Sequence, residues 1–159
     1  MFFHIFATET ITLRKMKIYR ITNVTSQLIE SLSRLLPQLS ASATTPTIEE
    51  LETLLSDNNT YLFAAEKDSI IAGILSLVVV NIPTGRKAWI EDVVVDVAYR
   101  GQNIAFELVE YAKNIALSLG VKRLYLTSNP SRKAAHALYR KCGFEEYDTT
   151  VFRVTPTTK

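Results

Sequence analysis

Cysteine is nearly absent. A single Cys142 among 159 residues rules out an internal disulfide, and with only two histidines there is no Cys/His cluster at metal-ligand spacing. The expectation is a reducing, cytoplasmic setting and no bound metal. Glycine and proline are scarce as well, five of each, which excludes a collagen-like or low-complexity chain. No apolar run is long enough to span a bilayer, and the start MFFHIF lacks the basic flank of an export signal. No membrane partner is therefore expected. A strong charge bias is missing too: 18 Lys and Arg against 16 Asp and Glu leave a formal charge of +2. A phosphate-backbone binder needs clustered cations rather than a small surplus, so no nucleic-acid partner is expected.

What is present is an ordinary globular composition, 47% apolar and 21% charged, in a chain of a size to bury one core. Residues 1–15 read as an N-terminal extension, either a floppy leader or an added edge element, ahead of one domain over 16–159. A β-prone run at Ile18 to Ile21 precedes a helical pattern from Thr25 to Leu36, with Leu28, Ile29, Leu32, Leu35 and Leu36 at helical spacing and Pro37 as its expected end. Thr47-x-x-Glu50 is a capping-box pattern for a second helix through Leu51, Leu54 and Leu55. Two strands, Tyr61 to Glu66 and Ile70 to Val80, read as a hairpin, and Pro83 to Arg86 turns the chain into a strand from Ala88 to Val97. A third helix is expected from Gln102 to Leu119, a fifth strand from Arg123 to Thr127, and a fourth helix from Ser131 to Cys142. A last strand or strand pair is expected over Glu145 to Val154. The exposed edge of that last strand, from Tyr147 to Val154, suggests a homodimer paired across a two-fold axis.

The most informative stretch is Ile90 to Ala105, IEDVVVDVAYRGQNIA, where a buried-looking strand runs through an Arg-Gly turn straight into an amphipathic helix. The first N–H groups of a helix have no intrahelical partner, and the macrodipole adds partial positive charge, so such a junction is an anion site. Arg100 adds a full charge beside it, and Arg132, Lys133, Arg140 and Lys141 are further candidates to see an anionic ligand.

Arg100-Gly101-Gln102-Asn103-Ile104-Ala105 resembles the Q/R-x-x-G-x-G/A pyrophosphate loop of the GCN5-related N-acetyltransferase (GNAT) superfamily, which binds acetyl-coenzyme A. One position departs: where the motif usually has Gly, this chain has Asn103, which tolerates left-handed backbone but carries a side chain. A second segment, Ala134-Ala135-His136-Ala137-Leu138-Tyr139-Arg140-Lys141-Cys142-Gly143-Phe144, resembles the A-x-x-L-Y-x-x-x-G-F signature that follows the fifth strand in these enzymes. The resemblance covers the half of the chain from Trp89 to Phe152. The IED strand and Cys142-Gly143-Phe144 are similar to the corresponding parts of glucosamine-phosphate N-acetyltransferases.

The resemblance implies a single α/β domain of the GNAT fold, with a mixed sheet of six to seven strands and about four flanking helices. It implies acetyl-coenzyme A as acyl donor and direct transfer to a primary amine. A small-molecule amine is the expected acceptor. A peptide terminus or lysine, or a coenzyme-sensing module without catalysis, are the alternatives. Val93, Val94 and Val95 would pair through their backbones with the pantetheine arm, and Gly101 through Phe106 would hold the pyrophosphate beside Arg100. Asn129 and Arg132 are further candidates for the coenzyme, although a helix-start role for Ser131 and its neighbours is an equal reading. Tyr139 would lie beside the coenzyme sulfur as proton donor to the leaving thiolate, the alternative being a helix-buried aromatic. Glu91 is the candidate base, acting directly or through water, with Asp92 on the opposite strand face as a structural group. A His136–Cys142 nucleophile dyad is disfavoured, because no third group orients it.

Overall fold

The computed structural model describes residues 16–157, so the extension expected over 1–15 lies outside the described residues. Two compact units divide between Thr127 and Ser128. The first contains β1 (Lys17–Arg20), α1 (Ser26–Leu39), α2 (Ile48–Ser56), β2 (Thr60–Lys67), β3 (Ile70–Ile82), β4 (Gly85–Val95), α3 (Ile104–Ser118) and β5 (Arg123–Leu126). One sheet takes the strands in chain order. The first three pairings are antiparallel, and β4 pairs with β5 in parallel, as a strand–helix–strand crossover through α3 requires.

Strand alternation gives the sheet two apolar faces. On one, Leu62, Ala64, Ile74 and Val94 pack in a buried cluster with Leu28, Leu32 and Leu35 of α1 and Leu51 of α2. Phe63 points the other way and meets Tyr111 of α3 edge-on, ring centroids 5.2 Å apart. Both N-terminal helices start on threonine caps. Thr25 Oγ1 accepts from Leu28 N at 3.1 Å, and Thr47 and Glu50 close the reciprocal capping box foreseen in the sequence, at 3.2 and 2.8 Å.

Three expectations need correction. Pro37 does not end α1, which runs on to Leu39. The ring removes a single N–H one turn before the helix end, and the chain beyond it is re-anchored by Gln38 Nε2 donating to Arg34 O at 3.0 Å and Ser40 N donating to Leu36 O at 3.0 Å. The hairpin from β3 to β4 is tighter than expected, turning on Pro83 and Thr84 alone.

The second unit contains α4 (Lys133–Lys141) and a C-terminal stretch without strand among the described residues. The expected strand over Glu145 to Val154 is therefore absent and the sheet has five strands, not six to seven. Alternating β-branched and aromatic residues make a strand only when a neighbour accepts its ladder, and Tyr147, Val151, Phe152 and Val154 are all well exposed instead. The edge on which the homodimer expectation rested goes with it.

Candidate functional site

β4 is paired on both sides only over its first half. Toward β5 the ladder runs from Lys87 opposite Arg123 to Ile90 opposite Leu126 and ends there. Toward β3 the register jumps from Ser76 opposite Glu91 to Ile74 opposite Val94. Asp92 and Val93 thus stand against the single residue Leu75, which is a β-bulge. Asp92 carries it with φ at +52°, a left-handed conformation that Asp tolerates better than most residues. Residues 91–95 consequently offer a backbone edge with no strand of the sheet on it among the described residues.

Alternation predicts Glu91 and Asp92 on opposite faces, one of them turned inward. The bulge overrides this, and both carboxylates are exposed. Partial burial, and then the charge of Asp92, push the Glu91 carboxyl above the usual carboxylate range. Trp89, two residues earlier, stacks on Tyr125 of β5 with ring centroids 5.0 Å apart. Val94 is buried in the core under α1 and α2, while Val93 and Val95 are half-buried.

From Asp96 the chain makes a short 3-10 turn, Val97–Tyr99, and its N–H groups are accounted for one by one. Val97 N donates to Gln38 Oε1 at 2.8 Å, Ala98 N to Asp96 Oδ1 at 3.0 Å, Tyr99 N to Asp96 O at 2.8 Å and Arg100 N to Val97 O at 3.5 Å. Next come Gly101 at φ +75° and Asn103 at φ +65°, with Gln102 between them not left-handed. Alternating left-handed residues are the backbone pattern on which anion nests are built, and the segment opens directly into the first turn of α3 at Ile104 and Ala105. A Cβ on Gly101 would touch nothing within 4 Å, so glycine is required there for its conformation rather than for space. Asn103 adopts the left-handed state without making a side-chain cap; its Nδ2 donates to Glu107 Oε1 at 3.3 Å. The exposed Arg100 sends Nε to Val95 O at 3.3 Å. Lys67, at the end of β2, donates to Gln102 Oε1. Phe106 lies in the same first turn of α3.

In the second unit Asn129 organises the approach to α4. Its Oδ1 accepts from Ser131 N at 2.9 Å and Ser131 Oγ at 2.7 Å, and its carbonyl accepts from Arg132 N at 2.9 Å and from His136 Nε2 at 3.1 Å. The helix-start reading for this stretch is thus correct in kind, but the N-cap position is Arg132, not Ser131, and the asparagine supplies the bonds. Tyr139 is half-buried, edge-on to Phe144 with ring centroids 6.1 Å apart. Burial raises its phenol above the ordinary value, opposed by the positive charge of Arg132. Cys142 is buried and in no disulfide. Ser128 Oγ is buried with no hydrogen-bond partner, alone in this among the side chains of the described residues.

A model of the acetyltransferase (GNAT) family matches residues 26–144. The chain belongs to that family. The match takes in α1 at one end and the Gly143-Phe144 pair at the other, so it reaches into both units. Among curated proteins, a streptothricin acetyltransferase of Escherichia coli is 34% identical over 89 residues, covering 56% of this chain and 49% of that protein. The chain thus spans about half the length of the curated relative it matches. Among solved structures, an aminoglycoside acetyltransferase from an uncultured soil metagenomic sample, in complex with trehalose, superposes with a TM-score of 0.80 at 24% identity, over 89% of this chain and 97% of that one. Glucosamine-6-phosphate N-acetyltransferase from Arabidopsis thaliana gives a TM-score of 0.74 at 24% identity, over 89% and 99%. These likenesses establish the GNAT fold.

No helix among the described residues is long and apolar enough to cross a membrane. Within the family frame, sequence reasoning missed two features. The bulge at Asp92 has no local signal beyond a polar residue in an apolar strand. Lys67 reaches the loop from a hairpin distant in sequence.

Proposed function

We propose that this chain is an acetyl-coenzyme A-dependent N-acetyltransferase of the cytoplasm, moving the acetyl group directly from the thioester to a primary amine of a small molecule. The observation that carries the reading is the continuity of the open β4 edge at residues 91–95 with the left-handed Gly101–Asn103 nest at the start of α3. An extended amide-bearing arm that ends in a pyrophosphate matches those two features in order: a strand-like partner first, then an anion at converging N–H groups. The relatives named as acetyltransferases of streptothricin and aminoglycosides support a small-molecule acceptor. The buried Cys142, in no disulfide, suits a reducing compartment.

In this reading the backbones of Val93, Val94 and Val95 line the pantetheine arm. Gly101, Gln102, Asn103, Ile104, Ala105 and Phe106 surround the pyrophosphate, with Arg100 supplying charge. That Asn103 takes the left-handed backbone the motif's glycine would take supports a working coenzyme loop. Asn129 and Arg132 are the coenzyme contacts of the second unit. Glu91, its carboxyl held above the usual range, takes up the amine proton directly or through water as the new C–N bond forms. Tyr139, whose raised phenol stays protonated through neutral pH, donates to the thiolate as the C–S bond breaks. A strand amide polarises the thioester carbonyl.

Calorimetric titration with acetyl-coenzyme A, against dephospho-coenzyme A and free ATP, tests the reading. Saturable binding near one per chain, weakened roughly tenfold by Arg100→Ala on the scale of one charge-assisted contact, is expected. A folded protein that ignores millimolar acetyl-coenzyme A would overturn it.

A further inference from the structure

The segment leading into the loop is gripped from outside its own strand. Arg34, on α1, donates through Nε to Asp96 Oδ2 at 2.6 Å and through Nη2 to Ile71 O of β3 at 2.7 Å. Gln38, one helical turn further along α1, accepts from Val97 N at 2.8 Å and returns its own amide to Arg34 O at 3.0 Å. Asp96 is only 4% exposed, and its two oxygens are divided between Arg34 and the N–H of Ala98. One face of α1 thus fixes Asp96, the first N–H of the 3-10 turn and the β3 carbonyl beside them.

This arrangement exceeds what stability alone asks of a surface ion pair. A lone Arg–carboxylate contact at an exposed rim contributes little, whereas here the planar guanidinium spans two acceptors on different elements, a task a point charge cannot perform. What the grip controls is the position of Asp96 to Arg100, whose N–H groups are all bonded within the protein, and with it the start of the left-handed segment at Gly101.

We propose that Arg34 and Gln38 are positioning residues for the anion loop: α1 sets where the Gly101–Asn103 nest stands, and so how well it meets a pyrophosphate-bearing acyl donor. The ligand half of the proposal rests on the function proposed above; the positioning half does not.

The test separates the two. Amide exchange of the ligand-free full chain is compared for wild type, Arg34→Met, Arg34→Lys and Gln38→Met, alongside thermal midpoints and calorimetric affinity for acetyl-coenzyme A. Expected is faster exchange confined to residues 97–103 in Arg34→Met and Gln38→Met, with the core strands unchanged. Expected with it is about a tenfold weaker affinity for acetyl-coenzyme A in Arg34→Met, the scale of one charge-assisted hydrogen bond, and partial recovery in Arg34→Lys. Exchange over 97–103 that matches wild type in both Met variants overturns the proposal, as does a uniform rise across all segments tracking a lower midpoint, which marks a merely structural role. Should Arg34→Met not fold, Gln38→Met decides by the same pattern, since it leaves the buried Asp96 paired. Wild type failing to bind acetyl-coenzyme A removes the functional reading, while the exchange pattern of the ligand-free chains still decides the positioning.

Discussion

Glu91 and Asp92 show how a single backbone irregularity changes the chemistry of two side chains. With Asp92 left-handed, both carboxylates are exposed and adjacent, and partial burial, then the charge of Asp92, opposes ionisation of Glu91. A base must be deprotonated to act, so in the role proposed for Glu91 its raised pKa places the acid limb of kcat/KM above the ordinary carboxylate value of 4.5. Activity is expected to fall as pH drops through that raised value, and Glu91→Gln is expected to flatten the limb while lowering the plateau by about 10². A pH–rate series on the two proteins checks this; an unchanged limb in Glu91→Gln assigns the titration to another group. The shape of the loop was legible because its turn needs left-handed torsions that Gly101 and Asn103 supply. The companions Lys67, Arg34 and Ser128 were not, because their significance is a matter of three-dimensional proximity or its lack, which no spacing encodes.

At the level of elements, the legible ones had strong local patterns: a capping box for α2 and apolar residues at helical spacing for α1. The failures had a common cause. Pro37 was read as a terminator, yet a proline near a helix end costs one hydrogen bond that neighbours can replace. The strand over Glu145 to Val154 was read from β propensity, which reports how well side chains suit a pleated surface, not whether such a surface is available. Gly73 was invisible for a related reason. It sits in β3 opposite Val95 with no unusual torsion, but a Cβ there would stand 3.0 Å from Val94 O, 3.1 Å from Val95 Cγ2 and 3.3 Å from Leu108 Cδ1. The close approach of β3, β4 and α3 depends on that missing methyl. Gly73→Ala is expected to destabilise the chain by about 1–3 kcal/mol through overpacking, read as a lower urea midpoint at unchanged m. Equal midpoints would show that β4 can shift to make room.

Over the whole molecule, opposite ends of the pH scale act through different elements of the first unit. Burial, then the hydrogen bond to Glu66 and its charge, push the Tyr19 phenol up to about 12. The unfolded chain, with its tyrosine near 10.0, releases that proton first, so stability is whole below about pH 10 and declines as pH rises toward 12. Tyr19→Phe is expected to remove that part of the alkaline loss, measured as thermal midpoint against pH; an identical decline in both proteins would place its origin elsewhere. The fold class was legible in the sequence because the order of strands and helices, with two signatures in series, admits few topologies. The bulge in β4 was not, because it arises from a mismatch in length between two paired strands.

That mismatch has an arithmetic consequence. A strand assigns its residues to two faces by parity, odd to one and even to the other. Up to Glu91, odd positions of β4 share the face of α1 and α2; beyond the extra residue, Val94, an even position, joins that face's core. The two halves of β4 are therefore written in opposite reading frames, and Asp92 is the frameshift between them. Removing that one residue would restore a single frame and leave every later side chain on its present face, so the bulge is stored first in the length of the chain at this point, and only then in the tolerance of Asp92 for its torsion.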